Sequence, residues 1–306
     1  MKRRAKVIIN PAAGRGIPLK SLPTIEELLN KEDLSYDIIV TKCPGHAIEL
    51  AENAVSEGFN EVVAVGGDGT VNEVINGLMK SKAHTREKCV LGVIGAGSGN
   101  DFLYGMGLPL DLEENCRIVA EGKSRLIDIG RVYLDDAEEC RYFGNGIGIG
   151  FDAVVGFEAK KLKHIRGPLS YLIGAIKTIF FHDNAPEVKI SCNQREYQQR
   201  SLMVSIMNGI RMGGGFMMTP NSQSDDGQLD LCIAGNAGVL RLFKLMFHFM
   251  KGTQEGDKEI TFERTDKLRV DAVNKGLPAH LDGETLCLEG RKFEVDVLSK
   301  RLKLLC

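Results

Sequence analysis

The chain has 306 residues, of which 43% are hydrophobic and 26% are charged, and its formal net charge is −2 at pH 7. This length predicts two domains, and the composition excludes a disordered or fibrous protein. Proteins that bind nucleic acid usually carry an excess of Lys and Arg over acidic residues, so the charge argues against that class.

The cysteine pattern and the N-terminus indicate the compartment. The eight cysteines occur singly, without the Cys-x-x-Cys pairs that bind zinc or form redox dithiols. The basic start, MKRRAKVIIN, ends its apolar run at Asn10-Pro11, which is too short for the core of a signal peptide. No segment supplies the about 20 apolar residues of a membrane span. We therefore expect a cytoplasmic protein with reduced thiols.

The first third of the sequence alternates β-branched runs with helical patterns. The predicted strands are 6–10, 36–40, 61–65 and 90–94, and the predicted helices are 19–30, 47–57 and 71–79. This alternation predicts a parallel sheet covered by helices. Ligands bind beyond the carboxyl ends of the strands in such sheets, so the loops that follow the four strands form the candidate site.

From about residue 127 onward, short alternating segments separated by turns predict a β-rich second domain. Examples are 202–207, 229–234, 268–273 and 293–297, and helical patterns interrupt them at 153–164, 169–181 and 239–250. The last of these helices mixes apolar side chains with Arg241, Lys244 and Lys251. That pattern fits either a core-facing helix or an amphipathic helix that touches a membrane.

The loop after the third strand, Gly66-Gly67-Asp68-Gly69-Thr70, has the residues of a phosphate site. Glycines let backbone N–H groups approach an anion, and the following helix adds the positive end of its dipole. Thr70 and Glu73 have capping-box spacing, which predicts that this helix begins at Thr70. Asp68 would be repelled by a bound phosphate unless a cation such as Mg²⁺ lay between them. Taken alone, the motif also fits a plain strand-to-helix turn.

Three further loops carry similar residues. The first strand is followed by Asn10-Pro11-Ala12-Ala13-Gly14-Arg15-Gly16, the second by Thr41 with Pro44-Gly45-His46, and the fourth by Gly95-Ala96-Gly97-Ser98-Gly99-Asn100-Asp101. The carboxyl ends of parallel strands meet at one sheet edge, so these loops together predict a nucleotide site more strongly than any single loop does.

In order, the motifs INPAAGRG, TxxxGHA, GGDGTxNE, GxGND, NGIGIGFDA, DDG and DGE resemble the set found in the diacylglycerol kinase catalytic family. The resemblance covers nearly the whole chain, and it implies membership of the soluble bacterial branch of these lipid kinases. GGDGT alone is shared with NAD kinases, whereas the Asn72-Glu73 continuation and the DGE at 282–284 are typical of the lipid kinases.

The resemblance implies a fold in two parts. The first is an α/β nucleotide-binding domain at 1–128, a parallel sheet with helices like that of NAD kinases and diacylglycerol kinases. The second is a β-sandwich-type lipid-substrate domain at 129–299, and ATP and the lipid would meet between the two. The last residues, 300–306, are expected to return to the first domain.

The resemblance also implies the nucleotide and metal contacts. ATP would contact Asn10, Pro11, Ala12, Ala13, Gly14, Thr41, Gly66, Gly67, Asp68, Gly69, Thr70, Val71, Asn72, Glu73 and Ser98. Mg²⁺ would bind Asp226 and the backbone carbonyls of Gln223 and Gln228, with Asp68 and Asp101 joining through water. The tandem Asp225-Asp226 leaves open which of the two is the ligand.

The same resemblance places the catalytic base within Asp282-Gly283-Glu284. The sequence leaves open whether Asp282 or Glu284 accepts the proton, and Asp68 completes the predicted catalytic residues. Asp-Gly is by itself a common hairpin turn, so this motif predicts catalysis only through the resemblance.

The leading hypothesis is an ATP- and Mg²⁺-dependent kinase that transfers the γ-phosphate to the hydroxyl of diacylglycerol or a related lipid. The alternatives are a soluble-metabolite kinase of the NAD-kinase type and a nucleotide-binding regulatory module without catalysis. We expect peripheral association with a membrane and no nucleic-acid partner. Basic residues at 160–166 fit either anionic headgroups or a solvated helix face. The oligomeric state is open between a monomer and a homodimer.

Overall fold

The computed structural model describes residues 3–30, 34–81, 89–162, 165, 168–181 and 185–306. The chain divides into two compact units. The first unit comprises Met1–Ile129 together with Ser299–Cys306, and the second comprises Gly130–Leu298.

The first unit is a parallel sheet with helices. Its strands are β1 (Arg3–Ile9), β2 (Leu34–Val40), β3 (Glu61–Gly66), β4 (Val90–Gly95), the start of β5 (Ser124–Leu134) and the end of β15 (Lys292–Leu305). Its helices are α1 (Ile17–Lys20), α2 (Leu22–Leu29), α3 (His46–Ala54), α4 (Asp68–Lys80), α5 (Asp101–Gly105) and α6 (Leu112–Glu121). Parallel pairing gives the order β15-β4-β3-β1-β2.

The core of this unit follows from the sequence pattern of its central strand. Every residue of β3 is buried, as expected for a strand of a parallel sheet with both faces covered. Val63 and Val65 pack in one cluster with Val7, Leu29 and Ile94.

The C-terminal segment contributes to the same unit. Lys303 and Leu304 pair with Val90 and Leu91 of β4, and Leu305 joins the core cluster. Residues 299–306 therefore supply one strand of the first unit's sheet.

Two helices of the first unit differ from their predicted bounds. The predicted helix at 19–30 is divided into α1 and α2, because Pro23 lies in the first turn of α2 and cannot donate a backbone hydrogen bond. The predicted start of the next motif helix at Thr70 was wrong, since α4 begins at Asp68. The Thr70 hydroxyl accepts from Asn10 Nδ2 at 2.9 Å, and the Glu73 carboxylate is bound at the start of α3, so neither side chain closes a capping box.

The second unit is antiparallel. Its strands are β6 (Cys140–Phe143), β7 (Gly146–Gly150), β8 (Glu187–Cys192), β9 (Arg195–Met207), β10 (Leu229–Gly235), β11 (Ile260–Thr265), β12 (Lys267–Ala272), β13 (Leu277–Leu281), β14 (Glu284–Gly290) and the remainder of β5 and β15. Its helices are α7 (Phe151–Lys161), α8 (Pro168–Phe181) and α9 (Val239–Lys251). One path runs β14-β13-β7-β9-β8-β12-β15, β10 lies between β9 and β11, and β5 pairs with β6 and β15.

Strand β9 separates two apolar cores. Val204 and Ile206 pack in one cluster with residues of β7 and β13 on one side of β9 and of β8, β12 and β15 on the other. Met203 and Met207 point to the opposite face, where side chains of α7, α8 and α9 pack together with others from β10 and β11. The period of two along β9 thus buries both of its faces.

The predicted fold class, an α/β domain followed by a β-sandwich-type domain, is confirmed by this architecture. Among the described residues, no helix is long and apolar enough to cross a bilayer.

Candidate active site

Asn10 connects the loops that follow β1 and β3. Its backbone N–H donates to Val65 O at 3.0 Å, and its Nδ2 donates to Thr70 Oγ1 at 2.9 Å. Its Oδ1 accepts from the Ala12 N–H at 3.0 Å. The first predicted loop is therefore held against the first turn of α4.

The loops after β1, β3 and β4 pack backbone against backbone. The Ala96 N–H donates to Gly66 O at 2.7 Å. A Cβ on Gly97 would lie 2.5 Å from Gly67 Cα, and a Cβ on Gly14 would lie 2.1 Å from Ala96 O. Only glycine permits this approach, which gathers the backbone of three loops at one sheet edge and at the N-terminus of α4. Backbone N–H groups in such a setting bind phosphate.

The remaining predicted nucleotide contacts lie in the same unit at these loops. Ala13 and Gly14 lie in a short 3₁₀ turn after β1, Thr41 directly follows β2, and Ser98 is exposed after β4. Pro11 precedes the 3₁₀ turn, Gly69 lies in the first turn of α4, and Val71 and Asn72 follow there as buried residues.

Glu73 has a structural partner that its motif did not indicate. Its two carboxylate oxygens accept from the Gly45 N–H at 2.9 Å and the Ala47 N–H at 3.1 Å. The negative charge thus lies at the N-terminus of α3, where it is stabilised by the helix dipole. This contact positions α3 against α4.

Asp68 and Asp101 approach one another at Gly99. Asp68 Oδ1 accepts from the Phe102 N–H at 2.9 Å. A Cβ on Gly99 would lie 3.1 Å from Asp68 Oδ2 and 3.6 Å from Asp101 Oδ2, so both carboxylates flank the same glycine. Two such charges repel unless a cation lies near them, and their oxygens are the ligand type that Mg²⁺ prefers. The two residues therefore fit a magnesium site.

The predicted metal loop lies in the second unit between β9 and β10. Asp226 Oδ1 accepts from the Gln228 N–H at 3.0 Å, while Oδ2 pairs with the Arg264 guanidinium. Arg264 also pairs with Asp230 at 3.1 Å. Gln223 is exposed, as are Asp225 and Asp226.

The donor set of this loop fits a hard cation if backbone oxygens take part. Within the described residues, no group of three or more Asp, Glu, His and Cys side chains is arranged to hold a metal. Asp230 Oδ2 is buried and makes no hydrogen bond to any described residue, and burial raises the pKa of this carboxyl. A cation at Asp226 would compete with Arg264 for the Oδ2 atom.

The acidic turn between β13 and β14 contains two carboxylates in different settings. Asp282 is 7% exposed, and it accepts from the backbone N–H groups of Gly144, Asn145 and Gly146 at 2.9, 3.0 and 2.8 Å. Its own N–H donates to Gly146 O at 2.9 Å. Asp282 thus anchors this turn to the loop before β7.

Glu284 lies at the surface. Its side chain is 50% exposed, and its Oε2 is 3.1 Å from Lys160 Nζ. An exposed ion pair of this kind contributes little to stability and opens readily. Lys160 belongs to the predicted basic run, of which Lys163, His164 and Arg166 lie outside the described residues.

Motif reasoning missed a polar cluster inside the second unit. His280, Gly148, Ser205 and Cys232 are neighbours on four adjacent strands. The Ser205 hydroxyl donates to Asp152 Oδ2 at 2.8 Å. A Cβ on Gly148 would lie 2.2 Å from this oxygen and 2.5 Å from His280 Nε2. Because Gly148 has no side chain, the Asp152 carboxylate can lie against the sheet at this position.

The two ionisable groups of this cluster have shifted pKa values. Desolvation raises the pKa of the partly buried Asp152 to about 7, and it lowers the pKa of His280 to about 4, with Lys160 adding to the effect. His280 Nδ1 is buried and makes no hydrogen bond to the part of the chain that the structure describes. The pairing of β13, β7 and β9 and the packing of α7 bring these residues together, so the motifs did not show that they meet.

Two family models match the chain. The model described as the diacylglycerol kinase catalytic domain matches residues 4–132. The model described as the YegS C-terminal NAD kinase beta sandwich-like domain matches residues 145–306.

Among curated proteins, the chain is similar to diacylglycerol kinases of two bacteria. It is 29% identical to that of Bacillus subtilis over 284 residues, which cover 92% of this chain and 90% of the relative. It is 27% identical to that of Staphylococcus carnosus over 285 residues, which cover 93% and 89%.

Solved structures show the same fold. A diacylglycerol kinase from Bacillus anthracis matches with a TM-score of 0.74 and 20% identity, covering 99% of this chain and 96% of that one. An NAD kinase from Archaeoglobus fulgidus in complex with ATP matches with a TM-score of 0.53 and 15% identity, covering 99% and 93%.

Proposed function

Because this chain belongs to the diacylglycerol kinase catalytic family, we propose that it transfers the γ-phosphate of ATP to the hydroxyl of diacylglycerol or a closely related lipid. The observation that carries this proposal is the convergence of the loops after β1, β3 and β4 inside the matched catalytic domain. Phosphoryl transfer depends mainly on positioning and charge neutralisation, and these loops are suited to both.

The nucleotide phosphates bind at the loop backbone. The N-terminus of α4 and the N–H groups of the loops around Gly14, Gly67 and Gly97 hold the negative oxygens. The hydrogen bond from Asn10 to Thr70 fixes the loop after β1 against the first turn of α4. The predicted contacts at Thr41 and Ser98 complete the site from the neighbouring loops.

Mg²⁺ is the metal that the oxygen donors fit, in each unit taken by itself. In the first unit, Asp68 and Asp101 would hold the ion through water. In the second unit, Asp226 and the backbone carbonyls of Gln223 and Gln228 would be its ligands. Bound in the first unit, the ion neutralises charge on the phosphates. The support is the pair of carboxylates that flank Gly99 and the oxygen-only donors of the Asp226 loop.

Glu284 is the proton acceptor for the lipid hydroxyl, and Asp282 positions it. The contacts support this division because Asp282 already accepts three backbone N–H groups. Glu284 is half exposed and is held by Lys160 alone among the described residues. A general base must reach its substrate with a free lone pair.

The lipid acceptor resides in a bilayer, so the proposal includes peripheral contact with a membrane. The experiment is an assay with labelled ATP, Mg²⁺ and mixed micelles of diacylglycerol, monoacylglycerol or a sphingoid base, with NAD as the soluble acceptor. We expect transfer to diacylglycerol. Transfer to NAD and to no lipid would establish the soluble-metabolite kinase instead, and ATP binding without transfer to any acceptor would establish the regulatory module.

A further inference from the structure

Helix α9 has two apolar faces, and only one of them faces the core. Leu242, Leu245 and Phe249 are buried against the sheet. The opposite side presents a stripe with helical spacing, formed by Leu240, Lys244, Phe247 and Lys251. Leu240 is 88% exposed and Phe247 is 56% exposed.

Helix α8 extends this stripe. Phe180 is 65% exposed, and its ring contacts the ring of Phe243 edge to face, with centroids 5.6 Å apart. Phe243 stands one helical turn from both Leu240 and Phe247. Lys177, one turn before Phe180, is also exposed. We call the six residues Lys177, Phe180, Leu240, Lys244, Phe247 and Lys251 the outer face.

The charges of the outer face have one sign. Neither α8 nor α9 contains an Asp or Glu residue. In the described parts of the chain, none of Lys177, Lys244 and Lys251 has an ion-pair partner. By contrast, Arg241 on the flank of α9 pairs with Asp257 and Glu259. The lysines of the outer face are therefore available to an external anion.

Large apolar side chains on a surface are ordinary when they are scattered, but a contiguous group between cations indicates a contact surface. A second copy of the chain would meet this surface with the same lysines under two-fold symmetry, and like charges would oppose each other. An anionic bilayer offers both required partners, since its headgroups attract lysine and its acyl boundary accepts Leu and Phe.

We propose that the outer face of α8 and α9 docks on a bilayer that contains anionic lipid. Leu240, Phe247 and Phe180 enter the boundary between headgroups and acyl chains, and the three lysines bind the lipid phosphates. The inference rests on the proposed function, because a kinase whose acceptor lies in a bilayer must reach it from the bilayer surface.

The first test measures binding of the full chain to vesicles of phosphatidylcholine with and without phosphatidylglycerol. We expect Leu240→Ser/Phe247→Ser to lower partitioning onto the anionic vesicles at least about tenfold, and Lys244→Glu/Lys251→Glu to abolish the dependence on phosphatidylglycerol. The matched controls are Leu288→Ser, which changes a residue 67% exposed on β14, and Lys275→Glu, which changes an exposed lysine after β12. Both controls should bind as the parent protein does.

The second test separates this inference from the proposed activity. On short-chain diacylglycerol dissolved as monomers, the Leu240→Ser/Phe247→Ser variant should keep the parent turnover, and on long-chain diacylglycerol in vesicles it should lose most of it. If the parent protein phosphorylates diacylglycerol but vesicle binding is the same in all variants, the docking surface is wrong and the activity stands. If the parent protein binds vesicles through these residues but phosphorylates no lipid, the activity is wrong and the surface stands.

Light scattering tests the alternative that a second copy of the chain, and not a bilayer, binds the outer face. If the Leu240→Ser/Phe247→Ser variant changes a dimer to a monomer and leaves vesicle binding intact, the outer face is an interface between two copies and the proposal is overturned. An unchanged oligomeric state together with lost vesicle binding supports the proposal.

Discussion

At the scale of single residues, the predicted catalytic carboxylates of the two units differ in what already binds them. Asp282 accepts three backbone N–H groups, whereas Glu284 forms an exposed pair with Lys160. Asp68 accepts the Phe102 N–H with one oxygen and directs the other toward Gly99. A carboxylate that accepts three backbone N–H groups stabilises a turn, whereas a half-exposed carboxylate such as Glu284 can reach a substrate proton.

Replacement of Asp68 by Asn should abolish most turnover and preserve the fold. Asn keeps an oxygen for the Phe102 N–H but loses the charge that holds a cation, so we expect kcat to fall at least about a hundredfold. The matched control is Asp111→Asn, because Asp111 likewise caps a helix, accepting from the Glu114 N–H at 2.9 Å. Steady-state kinetics and thermal unfolding measure both effects. Full activity in Asp68→Asn would remove this residue from the mechanism.

Glu284→Gln and Asp282→Asn should have different consequences. Glu284→Gln should lower kcat by on the order of a hundredfold without a change in the unfolding free energy, because the side chain is half exposed. Asp282→Asn should lower the unfolding free energy by about 1–3 kcal/mol, since an amide NH₂ would face backbone donors. Urea unfolding and kinetics distinguish them, with the exposed Glu289→Gln on β14 as control. A stable, inactive Asp282→Asn would instead identify Asp282 as the base.

Asp152 should make stability depend on pH. Its pKa is raised from 3.8 to about 7 in the folded protein, so the unfolded chain releases this proton first and the unfolding free energy falls as the pH rises between those values. Above pH 7 the penalty is constant. Asp152→Asn removes this penalty. The unfolding free energy of the variant minus that of the parent protein should therefore be larger above this pH window than below it, by on the order of 1–3 kcal/mol.

The quantity to compare is the difference in unfolding free energy between Asp152→Asn and the parent protein at each pH. His280 has its pKa lowered from 6.5 to about 4, so it removes stability as the pH falls through this range and opposes the Asp152 effect. Subtracting the parent curve isolates Asp152, and Asp111→Asn is again the control. An equal difference at every pH would show that Asp152 titrates normally.

At the scale of elements, the phosphate site depends on how closely the loops after β3 and β4 approach. Gly97→Ala should force them apart, because its Cβ would lie 2.5 Å from Gly67 Cα. We expect the unfolding free energy to fall by about 1–3 kcal/mol and the KM for ATP to rise. Gly156→Ala is the matched control, since a Cβ there meets nothing within 4 Å and a helical alanine should stabilise α7 by about 0.5–1 kcal/mol. Unchanged ATP binding in Gly97→Ala would contradict this account of the site.

At the scale of the whole molecule, the end of the chain completes the first unit. Leu302, Leu304 and Leu305 are at most 1% exposed. The Lys300 N–H donates to the buried Asp128 carboxylate at 2.6 Å. The first unit is therefore assembled from both ends of the sequence, with the second unit inserted between them.

Loss of this last strand should destabilise the first unit. Leu304→Ala should lower the unfolding free energy by about 2–4 kcal/mol, and deletion of residues 301–306 should prevent the unit from folding, because it removes three buried leucines and exposes the edge of β4. Cys306→Ser, at a partly exposed position, should have little effect. Circular dichroism during urea unfolding and the yield of soluble protein provide the measurements. A deleted chain as stable as the parent would show that the strand is dispensable.

The sequence by itself determined the fold class and the family, because both depend on local patterns. Alternating β-branched runs and helices predicted the parallel sheet, and ordered motifs such as GGDGT identified the loops of one sheet edge. Element positions were predicted well where periodicity was strong. The start of α4 was predicted wrongly at Thr70, since the partners of Thr70 and Glu73 lie in other loops.

Only the tertiary structure decided which side chains meet. Asp282 and Glu284 are equivalent in the sequence motif, and they differ only because the loop before β7 brings three N–H groups to Asp282. The Asp152, Ser205 and His280 cluster likewise exists only because strands pair and α7 packs against them. The two sides of α9 could be separated only once packing had buried one of them. Contacts between distant segments depend on register and packing, which local sequence patterns do not encode.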